Sequence, residues 1–119
     1  MTSFILMIHA SPWSHQSVLT AAQFAQTAIK RGNQVKAIFM YQDGVLNGQG
    51  ALDIASDELN GQHPLLALHE QHGVLLLMCA TAAEKRGLDM AQIKNGFKIA
   101  GLAELAELAT STDKVVQFK

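Results

Sequence analysis

Three short, mainly apolar runs, Phe4 to Ile8, Val35 to Met40 (with Lys36 its one polar residue) and Val74 to Met78, constrain the fold of this chain more than any other feature. A strand with one wet face alternates apolar and polar residues, whereas a continuous run marks a strand buried on both faces of a parallel sheet. Parallel neighbours need crossover connections, and the sequence supplies them. From His15 or Gln16 to Arg31, Val18, Leu19, Ala22, Ala25, Ala28 and Ile29 recur at helical spacing, and Gly32-Asn33 follows as a stop. A short helix is expected over Pro64 to His72, ended by Gly73, another over Ala80 to Arg86, ended by Gly87, and a third over Gly101 to Ala109, carrying Leu102, Leu105 and Leu108. Val115 to Phe118 reads as a last strand, Asp43-Gly44 as a turn, and Asn47 to Asn60, rich in Gly, Asn, Gln and Asp, as a long loop. The alternation predicts an α/β domain with helices on both faces of a mostly parallel sheet of four or five strands.

With 119 residues the chain has room for one domain, residues 1–119. About half of it is hydrophobic (49%) and only 16% is charged, enough for a packed core beneath a charge-poor surface that suits contact with other subunits. A net charge of −1 gives no general attraction for phosphate backbones or anionic lipid, so direct nucleic-acid binding is not expected. No apolar run reaches the roughly 20 residues of a membrane-spanning helix. A single cysteine and an N-terminus without a basic flank or cleavage site point to a reducing cytoplasm.

In open α/β sheets chemistry collects outside the carboxyl ends of the strands, where helix N-termini point. Cys79 falls there, between the third apolar run and the helix expected from Ala80. Unpaired N–H groups at such a helix start favour thiolate over thiol and would also hold the terminal sulfur of a persulfide. The competing reading is a buried cysteine acting as a small hydrophobe. Lys85 and Arg86 stand at the far end of the same short helix, with no basic residue adjoining Cys79 in sequence. His9 and His15 flank the loop after the first strand and are read as loop structure before catalysis; Asp43 is read first as a turn residue. His69 and His72 have the i, i+3 spacing of two metal ligands, but no pattern marks a third, so no metal site is expected. Trp13, beside Pro12, is either a subunit contact or packed over the sheet edge. The segment His9 to His15 lacks glycine, and no GxGxxG or Walker lysine motif occurs, which disfavours nucleotide or flavin binding; no cofactor is expected.

Several segments resemble one family in order and spacing: Ala22 to Gln26, Phe39 to Asn47, Ala55 to Glu58, Gln71 to Val74, Cys79 with Ala82 to Gly87, Asn95 to Glu107, and Asp113 to Phe118. Over nearly its whole length the chain is similar to the DsrE/DsrF-like sulfur relay proteins. It departs from their pattern in a shorter segment between Gly87 and Asn95. The resemblance implies a flavodoxin-like three-layer sandwich and a persulfide relay through Cys79, from a TusA-type donor to a TusE-type acceptor, on the route to 2-thiouridine at the tRNA wobble position. It also implies a heterohexamer with TusB-like and TusC-like subunits. Two alternatives stay open: a subunit of a sulfur-oxidation relay, and a non-catalytic interaction subunit. A carrier predicts an accessible, acidic Cys79; an interaction subunit predicts a buried, inert one.

Overall fold

The structure, a computed structural model, describes residues 1–13, 17–50 and 62–119. Its elements run β1 (Ser3–Ile8), α1 (Ser17–Lys30), β2 (Gln34–Met40), a 3-10 helix (Gln42–Gly48), α2 (Gln62–His72), β3 (Leu75–Cys79) and α3 (Ala80–Lys85). A 3-10 turn (Met90–Gln92), β4 (Phe97–Ala100), α4 (Leu102–Thr110) and β5 (Lys114–Phe118) complete the chain. The three apolar runs are β1, β2 and β3, the neighbouring inner strands of one five-stranded sheet ordered β4-β3-β2-β1-β5, in which every pairing is parallel. The expected α/β sandwich therefore forms, with two differences in detail. Phe97–Ala100, not foreseen as a strand, is β4, and Gln42–Gly48, expected as turn and loop, is a 3-10 helix. The remainder of the expected loop, with Ala55 to Glu58, lies outside the described residues, as does His15.

Successive crossovers from β1 to β4 move in one direction across the sheet, so right-handed connections stack α1, α2 and α3 on one face; the return from β4 to β5 leaves α4 on the other. The first face is fully packed: Leu6, Ile8, Ile38, Met40, Leu76 and Met78 are buried beneath Val18, Ala21, Ala22, Ala25, Leu65 and Leu68. Among the described residues the second is covered by α4, no residue of which is fully buried. On that face Phe39 and Leu77 are buried, yet Leu75 is 42% and Val115 44% exposed. The sheet is tied at its base by Asp113, whose carboxylate accepts from Ser3 N (2.8 Å) and Oγ (3.0 Å), while its own N–H donates to Ser3 Oγ (3.0 Å). These bonds, led by that from the Ser3 backbone N–H, hold the Asp113 carboxyl below its ordinary value.

At the carboxyl edge the 3-10 helix is pressed onto the strand ends. A Cβ added at Gly44 would lie 2.0 Å from the carbonyl oxygen of Ile8, and one at Gly48 would lie 2.3 Å from Met78 Sδ. Only glycine allows this approach. Buried Asn47 pins the segment, its Nδ2 donating to the carbonyls of Ala10 (3.0 Å) and Gly44 (2.9 Å).

Candidate functional site

Cys79 is the last residue of β3, paired with Ala100, and α3 begins at the next position. Strand alternation turns Leu75, Leu77 and Cys79 toward the α4 face. Cys79 there lines a cavity of about 290 Å³ with Tyr41, Gln42, Thr81, Ala82, Lys85, Arg86 and Leu102. Four pieces of chain build these walls: the end of β2 with the start of the 3-10 helix, the end of β3, one face of α3, and the first residue of α4. A larger hollow of about 690 Å³, lined by Met1, Asn33, Lys36, His72 and Leu75 among others, lies where the strands begin, away from the edge at which α/β sheets place their chemistry.

The expectation of an openly accessible thiol is corrected: Cys79 is 1% exposed. Leu102 and the side chains of α3 close over it, contributions from elsewhere in the chain that no local reading of the strand end contains. Cys79 belongs to the buried hydrophobic core cluster, and it also borders the cavity.

Arg86, passed over in sequence because it stands seven positions from Cys79, reaches the same cavity. Positions 79, 82 and 86 follow the i, i+3, i+7 spacing of one helical face, the signal by which it is recognisable. Its Nε (3.0 Å) and Nη2 (2.9 Å) both donate to Asp43 Oδ1, and Nη1 donates to the carbonyl of Ala82 (3.1 Å). Asp43 is thus more than a turn residue: it ties the 3-10 helix to Arg86, which caps the C-terminal end of α3 and lines the cavity.

His9 does not line the cavity. Its Nδ1 lies 3.0 Å from Gln42 Oε1, its Nε2 3.2 Å from Gln117 Oε1, and its ring meets Tyr41 edge to face at 5.6 Å. It supports two cavity walls, Tyr41 and Gln42, and Gln42 needs support, because its φ of 51° is left-handed for a residue with a Cβ. His69 Nδ1 is 2.9 Å from the Val74 carbonyl, and His72 borders the opposite hollow. Among the described residues no group of three or more His, Cys, Asp or Glu is placed to hold a metal ion, and no helix is long and apolar enough to cross a membrane. Trp13 is 54% exposed, pointing outward rather than packing over the sheet edge.

A family model described as the DsrE/DsrF-like family matches residues 2–118. The chain is 36% identical to sulfurtransferase TusD of Erwinia tasmaniensis, over 97% of this chain and 98% of that protein. It is 33% identical to sulfurtransferase TusD of Serratia proteamaculans, over 99% of this chain and 100% of that one. The crystal structure of the ychN protein from E. coli superposes with a TM-score of 0.86 at 25% identity, covering 99% of this chain and 100% of that chain.

Proposed function

We infer that this chain, which belongs to the DsrE/DsrF-like family and is a sulfurtransferase of a sulfur relay, carries sulfur as a persulfide on Cys79. The observation that carries this reading is the placement of the sole cysteine of the sequence on a cavity at the carboxyl edge of the sheet. The Cys79 thiolate attacks the outer sulfur of a donor persulfide. A new S–S bond forms on Cys79, the donor S–S bond breaks, and the donor leaves as a thiolate with the electron pair. An acceptor thiolate then attacks the outer sulfur on Cys79 and releases the Cys79 thiolate. No net oxidation occurs, and the exchange needs neither metal nor cofactor.

Likeness to TusD proteins supports a TusA-type donor and a TusE-type acceptor, and a place on the cytoplasmic route to wobble-uridine 2-thiolation. With a net charge of −1 the chain meets its partners as proteins and leaves the tRNA to a later component. The thinly covered α4 face, with Leu75 and Val115 exposed, supports TusB-like and TusC-like partner subunits seated there, since monomers rarely leave such apolar area to water. A second reading, an interaction subunit whose cysteine is inert, is favoured by one observation, the 1% exposure of Cys79.

Intact mass separates the two. Incubation with a cysteine desulfurase, cysteine and a TusA-type donor should add the mass of one sulfur atom, lost on reduction and never gained by Cys79→Ser. No gain, even with partner subunits present, would refute carriage and leave the interaction subunit.

A further inference from the structure

Two cations, Lys85 and Arg86, line the Cys79 cavity, and the one carboxylate paired with them, Asp43 on Arg86, leaves an excess of one positive charge on a chain whose net charge is −1. Glu84, the nearest other carboxylate in sequence, borders a separate hollow with Ala80, Ala83 and Ile99. Arg86 is held in place as well as present. Its three bonds to Asp43 and to the Ala82 carbonyl fix the guanidinium plane, and a guanidinium has five N–H donors, so two remain for an incoming group. Lys85 is exposed and, among the described residues, makes no ion pair. The rest of the wall is Tyr41, Gln42, Thr81, Ala82 and Leu102, with no further charge.

We propose that Arg86, oriented by Asp43, and Lys85 make the Cys79 cavity selective for anionic sulfur donors, persulfide anions above all, over neutral ones of the same size. The proposal rests on the carrier reading for its sulfur chemistry, but the charge selection itself is a property of the cavity and is measurable without any sulfur transfer. An anion approaching Cys79 gains Coulomb attraction and a charge-assisted hydrogen bond at the rim that a neutral molecule lacks. Asp43 sets the direction of the guanidinium, making it a positioning residue, and Arg86 a specificity-determining one.

The test compares alkylation of Cys79 by iodoacetate, an anion, and iodoacetamide, its neutral counterpart with the same leaving group, at one pH. Their rate ratio is referred to that of an uncharged small thiol, N-acetylcysteine amide. Both reagents meet the same sulfur, so a change in burial or packing moves both rates together and leaves the ratio alone. In the unaltered protein the ratio should exceed the reference and fall as salt is raised. Arg86→Gln should lower it roughly three- to tenfold, Lys85→Gln less, and Arg86→Lys should keep it within about twofold. A ratio equal to the reference, insensitive to salt and to both glutamine variants, would overturn the proposal, as would failure of iodoacetate to reach Cys79. Should Arg86→Gln not fold, Lys85→Gln and the salt series decide. Sulfur loading with a flat ratio would reject charge selection alone; a selective ratio without loading would reject carriage alone.

Discussion

Replacing Gly44 by alanine is the sharpest available test of how the carboxyl edge is built. The new Cβ would stand 2.0 Å from the carbonyl oxygen of Ile8 and 2.8 Å from its carbon, both backbone atoms that cannot rotate away. Because real Cβ atoms essentially never approach within 3.0 Å, the 3-10 helix and the end of β1 must separate by about 1 Å. That separation strains the bond from Tyr41 N to the same Ile8 oxygen (2.9 Å) and the turn bond from Gly44 N to Tyr41 O (2.8 Å). Overpacking of this kind costs about 1–3 kcal/mol, and a weakened hydrogen bond adds up to about 1 kcal/mol, so a loss of roughly 2–4 kcal/mol is expected. For a domain of this size that lowers Tm by about 10 °C. Gly48→Ala is the informative contrast. Its Cβ meets Met78 Sδ at 2.3 Å and Cε at 2.9 Å, the far end of a flexible side chain, so it should cost about half as much. Gly101→Ala, with nothing nearer than Ala103 N at 4.0 Å, should stay within about 0.5 kcal/mol. Thermal and urea unfolding of the three variants measure the series. A Gly44→Ala protein that melts within about 2 °C of the unaltered one would refute the reasoning.

Two further outcomes are expected. Because Asp113 has its carboxyl lowered in the folded protein by the Ser3 bonds, its contribution is present above the ordinary aspartate value and is lost as pH falls below about 4, through the folded value. The urea-midpoint difference between the unaltered protein and Asp113→Asn should therefore be largest near neutral pH and shrink in acid; a difference independent of pH would contradict the assignment. On the α4 face, Leu75→Glu should abolish assembly with partner subunits in native mass spectrometry while leaving the monomer's unfolding midpoint within about 0.5 kcal/mol, since Leu75 is already 42% exposed. An intact complex would place the subunit contact elsewhere.

What the sequence revealed and what it hid divide along physical lines. Strands β1, β2 and β3 were legible because they are the inner strands of the sheet and mostly buried, which forces runs that are apolar but for Lys36. Edge strand β4 was not: it has only four residues, and its outward-facing Lys98 interrupts the run. The 3-10 helix Gln42–Gly48 was hidden by its composition, since Gly44 and Gly48 read as loop punctuation although they are there to let the backbone touch Ile8 and Met78. Cys79 was legible by its position after an apolar run. Its burial was not, because Leu102 and Tyr41, which help enclose it, are 23 and 38 residues away in the sequence. Arg86 was in plain sight at helical spacing and was discounted only because proximity was judged along the chain.

The burial of Cys79 bears on how sulfur reaches it. Its backbone is fixed by strand register, through the pairing with Ala100, so the sulfur cannot swing outward without unpairing the end of β3. A flat protein surface docked on this edge cannot touch a residue that is 1% exposed. The cavity, however, is walled largely by side chains, Leu102, Lys85, Arg86 and Tyr41 among them, which change rotamer far more readily than strands unpair. At about 30 Å³ per water, its 290 Å³ has room for a narrow chain segment and not for a folded surface. If Cys79 carries sulfur, a donor must therefore bring it on an extended arm or a terminus. On the carrier reading, the same burial would keep solvent and oxidants from a persulfide, protection that an exposed thiolate lacks. On the carrier reading, burial and cavity together limit casual access to the cysteine, whereas on the interaction-subunit reading the same 1% exposure keeps the thiol inert, and sulfur loading decides between them.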